Sequence, residues 1–357
     1  MSKAQKVLIA GAWRDSDASG TFEPNNPSTR EPTGELYPVS SLDEATEAVE
    51  AAAVASEQLQ AFYPDGVASF LETFADRIEA RADELVAMAN TESGLPAPTR
   101  LAAIELPRTT GQLRQAAAAA RGRTWSLPTI DTASNIRSMY SAIEGGVAVF
   151  GPNNFPFAFN SVAGGDFAAA LGAGCSVIGK ANSSHPGTSR LLAEEALEAL
   201  KATGLPLATV QLIYRTSHDV GEKLVSDPKI GATGYTGSRA AGLALKAAAD
   251  VAGKPIYLEL SSVNPLILLP GALEERGAEI AEELTGSCLM GTGQFCTNPG
   301  LVVTVAGETT SQFIDDLVAR FSQAPVGTLL SKGVQTSLGQ SLTTLLDAGG
   351  VLLVGNS

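Results

Sequence analysis

In the first 130 residues the apolar positions recur at three- and four-residue spacing, the period of helices with one buried face. Ser41 precedes the first such run and Glu44 stands three residues after it, the spacing of a capping box. Ala45, Ala48, Val49 and Ala52 then form a stripe that predicts a helix over Leu42–Leu59. Pro64 can open the next helix. Val67, Phe70, Leu71, Phe74, Ile78 and Leu85 carry that helix to about residue 90, and Gly94 and Pro96 end it. A third run covers about 99–120, with Pro107 as a candidate kink. Ahead of these helices, residues 7–9 and 20–22 predict a short edge hairpin, and Pro24, Pro27 and Pro32 keep the following chain irregular.

From residue 136 onward short apolar runs alternate with helical ones. Strands are predicted over 136–142, 147–150, 175–179, 210–214, 230–235 and 255–260, and helices over 159–171, 187–202, 219–226 and 238–250. Further on, 281–289 reads as helix and 301–305 as strand. This alternation with short connections predicts an α/β fold built on a doubly wound parallel sheet covered by helices. Such sheets bind ligands beyond the carboxyl ends of their strands. Asn154, Lys180, Gly237-Ser238 and Glu259 all stand at such ends. The dinucleotide fingerprint G-x-G-x-x-G after a strand is missing, because Gly172-Ala173-Gly174 precedes its strand. Gly237-Ser238 can place a phosphate at a helix N-terminus, or can simply be a turn and cap.

Charge and cysteine usage narrow the picture. The 357 residues allow two or more domains, and the formal net charge of −14 opposes binding of nucleic acid or anionic membranes at long range. Three cysteines, Cys175, Cys288 and Cys296, make no disulfide framework, and with only His185 and His218 they make no metal site. Without an apolar leader run or a stretch of 18 apolar residues, a cytoplasmic protein with no membrane span is expected.

Cys296 lies in Gly291-Thr292-Gly293-Gln294-Phe295-Cys296-Thr297-Asn298-Pro299-Gly300, among small and polar residues that let backbone N–H groups approach a reacting centre. A thiol there can attack a carbonyl whose oxyanion those N–H groups hold. The alternative is a buried cysteine acting as a small hydrophobe.

Five ordered segments decide between these readings. Asn154-Phe155-Pro156, Val177-Ile178-Gly179-Lys180, Tyr235-Thr236-Gly237-Ser238, Leu258-Glu259-Leu260 and Gly293-Gln294-Phe295-Cys296 together resemble the aldehyde dehydrogenase superfamily, from roughly residue 20 to the end. Gly151-Pro152-Asn153-Asn154, the run from Lys180 to Ser189, and Glu259-Leu260-Ser261-Ser262-Val263-Asn264-Pro265 resemble its bacterial 2,5-dioxopentanoate (α-ketoglutaric semialdehyde) dehydrogenase branch. In much of the superfamily a tryptophan stands at the position of Asn153, and two glycines at those of Ser261 and Ser262.

The resemblance implies a catalytic set of Cys296 as nucleophile, Asn154 at the oxyanion and Glu259 as the base that activates water. It implies a cofactor set of Lys180, Ser183, Gly237, Ser238, Phe150 and Pro152, and a substrate contact at Phe155; a substrate with a distal carboxylate requires a cationic anchor, for which Arg108 is the candidate, the alternative being a solvated arginine on a helix face. No metal is implied. The implied reaction is oxidation of 2,5-dioxopentanoate to 2-oxoglutarate through a cysteine thioester. Another semialdehyde such as succinate semialdehyde, or a noncatalytic homologue that binds a partner, is the alternative. Relatives that prefer NAD commonly carry a glutamate at the position of Ser183; the small hydroxyl here implies NADP, with NAD also usable, unless Ser183 only caps the following helix. Residues 1–130 and 147–260 are expected to form the cofactor-binding domain, 131–146 an oligomerisation strand segment of a homodimer or homotetramer, and 261–357 the catalytic domain. Members are usually near 500 residues, so this chain is expected to be truncated within the catalytic domain. Residues 349–356 are then a hairpin or strand cut short, and activity of this piece alone is not expected.

Overall fold

The computed structural model describes residues 3–18 and 20–355. The N-terminal part runs β1 (Val7–Ile9), β2 (Ala12–Arg14), β3 (Thr21–Phe22), β4 (Tyr37–Pro38), α1 (Leu42–Leu59), α2 (Asp65–Ala80), α3 (Ala82–Ser93), a π-helical stretch Ala97–Glu105, and α4 (Leu106–Gly122). After β5 (Thr129–Asp131) and β6 (Ile136–Ser138) come β7 (Gly146–Phe150), α5 (Gly165–Gly172), β8 (Val177–Lys180), α6 (Pro186–Thr203), β9 (Val210–Ile213), α7 (His218–Ser226), β10 (Ile230–Gly237), α8 (Arg239–Val251) and β11 (Ile256–Leu260). The remainder is β12 (Pro265–Leu268), α9 (Pro270–Leu289), β13 (Leu301–Thr304), α10 (Glu308–Gln323) and α11 (Lys332–Asp347). The chain divides into two compact units, Met1–Glu259 and Leu260–Ser357.

The first unit is built on a sheet of order β11-β10-β7-β8-β9-β1-β2. β7 pairs in parallel with β8 and with β10, and β8 with β9. Every residue of β7 and β9, and the first six of β10, is buried. Successive strand residues face opposite sides, so this pattern requires cover on both faces. Helix α1 packs on β7, β8 and β9, α5 on β7 and β8, and α6 on β9, with α2 lying against α4, α5 and α6. The Ser41–Glu44 capping box forms as its spacing predicts. In the second unit β12 and β13 pair in parallel, and Leu268, Leu273, Ala281, Leu284 and Phe313 form the core between α9, α10 and the strands.

Several local expectations fail for tertiary reasons. Residues 7–9 do not pair with 20–22. β1 instead joins the main sheet antiparallel to β9 and turns back onto β2, while β3 pairs with β4. The helix expected over 159–171 begins only at Gly165, because residues 156–163 are held in turns by side chains. The run over 99–120 changes from π to α winding at Leu106, one residue ahead of the proline. The 136–142 strand is only Ile136–Ser138, paired with β5. Residues 349–355 hold no strand, and Asn356 lies outside the described residues.

Helix α6 starts without a side-chain cap of its own. Its first-turn donors are met from α3: the buried Glu92 carboxylate accepts from Gly187 N at 2.7 Å, Thr188 N at 2.8 Å and the Thr188 hydroxyl at 2.8 Å. Only glycine fits at 187, since a Cβ there would lie 2.9 Å from Glu92 Oε1 and 2.8 Å from the Tyr37 hydroxyl oxygen. Burial raises the Glu92 pKa to about 7, against the pull of its three donors. Between its ordinary value of 4.5 and about 7 the folded state therefore keeps a proton that the unfolded chain has released. Glu92 thus makes stability fall as pH rises across that window, by about 3 kcal/mol in all. Glu92→Gln is expected to flatten that part of the curve, read from urea midpoints between pH about 5 and about 7. An unchanged slope would assign the titration to another group.

Candidate functional site

In the first unit the chain leaves β7 toward β8 and β9 on one side and returns to β10 on the other. The carboxyl ends of β7 and β10 are therefore the switch point at which such sheets take ligands. Phe150 ends β7, and its ring lies 6.0 Å from that of Tyr235 on β10. Gly237 ends β10. Ser238 caps α8, its hydroxyl accepting from Ala241 N at 3.4 Å, and the Tyr235 hydroxyl donates to Ser238 O at 3.1 Å.

The loop after β7 carries Pro152, Asn154 and Phe155, and it is braced from both sides. His185 Nε2–H donates to Pro152 O at 2.7 Å, and Asn182 Nδ2 donates to Gly151 O at 3.0 Å. Burial lowers the His185 pKa, which keeps the ring neutral. Farther along, the fully buried Glu105 carboxylate accepts from Phe157 N at 2.8 Å and Ala158 N at 3.0 Å, and from Arg100 Nη1 at 2.6 Å. Burial raises the Glu105 pKa, while Arg100 and the two backbone donors oppose that rise. The Arg100 guanidinium lies 4.4 Å from the Phe155 ring centre. Arg108, exposed in the first turn of α4, lies 5.0 Å from the Phe159 ring and 5.8 Å from that of Phe155. Arg108 and Phe155 are thus brought together beside half-buried Asn154 in the loop.

Lys180 ends β8, opposite Ile213 of β9. Burial, and secondarily the charge of Arg215 just past β9, lower its pKa to about 8, so most of it remains ammonium at neutral pH. Ser183 is half-buried in the turn before α6; the cap position of that helix is His185, so Ser183 does not cap it. Glu259 is exposed near the end of β11. His218 is exposed in the first turn of α7. Among the described residues, no group of three or more His, Cys, Asp or Glu side chains could hold a metal ion, and no helix is long and apolar enough to cross a membrane.

Cys296 belongs to the second unit. It follows α9 and a turn in which Gly291 and the β-branched Thr292 both adopt left-handed backbone, at φ 58° and 61°. Gln294 pins the turn, donating to Gly291 O at 3.0 Å and Thr328 O at 3.2 Å and accepting from Leu330 N at 2.9 Å. The carbonyl of Cys296 accepts from Ser262 Oγ at 2.6 Å and Asn264 Nδ2 at 2.7 Å. Cys288 is half-buried in α9 beside the apolar core, and burial raises its thiol pKa.

The sequence reading missed Glu105, Arg100 and Asn264 as supporting residues. The one available signal for Glu105 was a lone carboxylate between Ile104 and Leu106 in an apolar run.

A sequence model of the aldehyde dehydrogenase family matches residues 13–340. The α-ketoglutaric semialdehyde dehydrogenase 2 of Azospirillum brasilense is 37% identical over an alignment of 359 positions, covering 98% of this chain and 68% of that protein. The α-ketoglutaric semialdehyde dehydrogenase of Acinetobacter baylyi is 38% identical over 340, covering 92% of this chain and 64% of that protein. The chain thus spans about two thirds of the length of these relatives. The fold is that of the aldehyde dehydrogenase of Bartonella henselae, with a TM-score of 0.86 at 22% identity over 100% of this chain and 74% of that one. It is equally that of the Bacillus cereus aldehyde dehydrogenase solved with NAD+, with a TM-score of 0.85 at 22% identity over 99% and 72%. By the extent of the family match and by these identities, the chain belongs to the aldehyde dehydrogenase family.

Proposed function

We propose that this protein oxidises 2,5-dioxopentanoate to 2-oxoglutarate with NADP or NAD. The observation that carries the substrate is the 37–38% identity to two α-ketoglutaric semialdehyde dehydrogenases. In this reading Cys296, as thiolate, adds to the aldehyde carbon, and the Asn154 amide with the Cys296 N–H holds the oxyanion. A bound nicotinamide supplies the hydride acceptor that turns the adduct into a thioester. Glu259 then takes a proton from water, the hydroxyl adds to the thioester carbon, and the thiolate leaves, giving the carboxylate product. Lys180 and Arg215, cations at the ends of adjacent strands, fit an adenosine ribose bearing a 2′-phosphate, with Ser183 as a hydroxyl donor. The exposed Ile130, Ile136, Met139 and Tyr140 on and beside the β5–β6 hairpin support a homo-oligomer joined through that edge.

Cys296→Ala is expected to abolish aldehyde oxidation, while Glu259→Gln slows steady-state turnover by about a hundredfold or more and leaves the first hydride transfer measurable. Burst and steady-state rates in the complete protein separate the two; turnover by Cys296→Ala near the parent rate would sink the nucleophile assignment. Arg108→Ala is expected to raise KM for the dicarboxylic semialdehyde roughly tenfold, the loss of one charge-assisted bond of about 1.5 kcal/mol, and to spare uncharged aldehydes. Equal effects on both would reject Arg108 as the carboxylate anchor. Ser183→Glu is expected to shift the ratio of kcat/KM values from NADP toward NAD, because a carboxylate there repels the phosphate and accepts from ribose hydroxyls. An unchanged ratio from initial rates with each cofactor would show that the phosphate is not read at Ser183.

A further inference from the structure

The backbone that carries Cys296 is held by a clamp whose two donors come from the other strand entry of the same unit. Residues 262–264 lead into β12 and residues 296–300 lead into β13, and these strands pair in parallel from Pro265↔Leu301 onward. Gly300 N donates to Val263 O at 2.7 Å, an approach that a Cβ at 300 would block by lying 2.6 Å from that oxygen. Ahead of that bond, Ser262 Oγ and Asn264 Nδ2 both reach Cys296 O. The Asn264 amide also reaches Asn298 O at 3.0 Å, and Asn298 Nδ2 reaches Cys288 O at 2.9 Å at the end of α9. Asn264 sits at φ 47°, left-handed backbone that asparagine adopts more readily than other residues with a Cβ. A short amide on that backbone can span the two carbonyls.

We propose that Ser262 and Asn264 are positioning residues for the nucleophile, fixing the peptide plane that follows Cys296 and with it the direction in which the thiol is presented. The proposal rests on the assignment of Cys296 as nucleophile. Fixing one carbonyl with two donors restricts rotation about the Cα–C bond of Cys296. A displaced reacting group loses rate rather than ground-state affinity, by roughly ten- to hundredfold. Ser262 also gives a use to a departure from the two glycines common in the superfamily, since a glycine has no hydroxyl to donate.

The test compares the parent with Ser262→Gly, Asn264→Gly and the double variant. Glycine at 264 keeps the left-handed backbone and removes only the amide. Asn264→Asp keeps the shape and turns the donor into an acceptor facing two carbonyls. Two quantities are read: kcat and KM with aldehyde, and the rate at which iodoacetamide alkylates Cys296 relative to Cys288 in the same molecule, by peptide mass spectrometry. The expected result is a kcat lowered roughly tenfold or more in Asn264→Gly and further in the double variant, with KM nearly unchanged. Asn264→Asp should be at least as slow, and the Cys296 to Cys288 alkylation ratio should move several-fold. A double variant with the parent's kcat and alkylation ratio overturns the proposal. If the complete parent protein oxidises no aldehyde, the proposed activity is removed and the ratio alone decides the clamp: a shifted ratio upholds it, and an unshifted one removes it.

Discussion

A buried loop with no ladder of its own must find partners for its backbone, and the segment after β7 is such a loop. From Gly151 to Gly164 it forms neither helix nor strand, yet most of it is buried. Its polar groups are paired by side chains from two directions: Asn182 and His185 at its start, Glu105 at Phe157 and Ala158. Glu105 is affordable in the core only because Arg100 and two N–H groups surround it. Its loss would orphan both amides and leave Arg100 buried without that carboxylate, a change of about 3–5 kcal/mol. Asn154 inherits its place from these braces.

The same constraint explains the close approach of backbone on the β8 side. A Cβ on Gly179 would lie 2.3 Å from Val162 and 3.0 Å from Ser161 O, so the loop can lie against the strand only where there is no side chain. Buried strands, one glycine and a handful of side chain to backbone bonds set the floor of the switch point, with half-buried Lys180 ending β8 and exposed Ser238 following β10.

Local patterns in the sequence were legible where the physics is local. The α1 boundaries and its cap follow from residues within one turn of each other. The strand–helix alternation from β7 to β11 follows from run length and period. What failed depended on distant partners. The place of β1 in the main sheet is set by β9, about two hundred residues away, as in Leu8↔Leu212, although its hairpin with β2 is local. The start of α5 was placed too early because residues 159–164 are apolar enough for helix, while Asn160 holds Pro156 O and Val162 N in turns. Cys296, Asn154 and Glu259 stood out through resemblance to a family, whereas Glu105 and Asn264 act on backbone far along the chain and leave no periodic trace.

The missing glycine fingerprint has a structural counterpart in α6. In a doubly wound sheet a helix N-terminus beyond a strand is where a pyrophosphate commonly docks, because first-turn N–H groups point outward there. At α6 those of Gly187 and Thr188 point instead at Glu92, buried behind the helix. The Glu92 carboxyl group already in that position takes up those donors, so they are not offered to a phosphate. In the proposed function, an anionic group at the β8 and β9 ends would instead meet side-chain cations, Lys180 at the end of β8 and Arg215 just past β9. A net charge of −14 does not oppose that proposal, because at physiological salt a ligand within a few ångströms of two local cations is governed by them more than by the screened field of the whole surface.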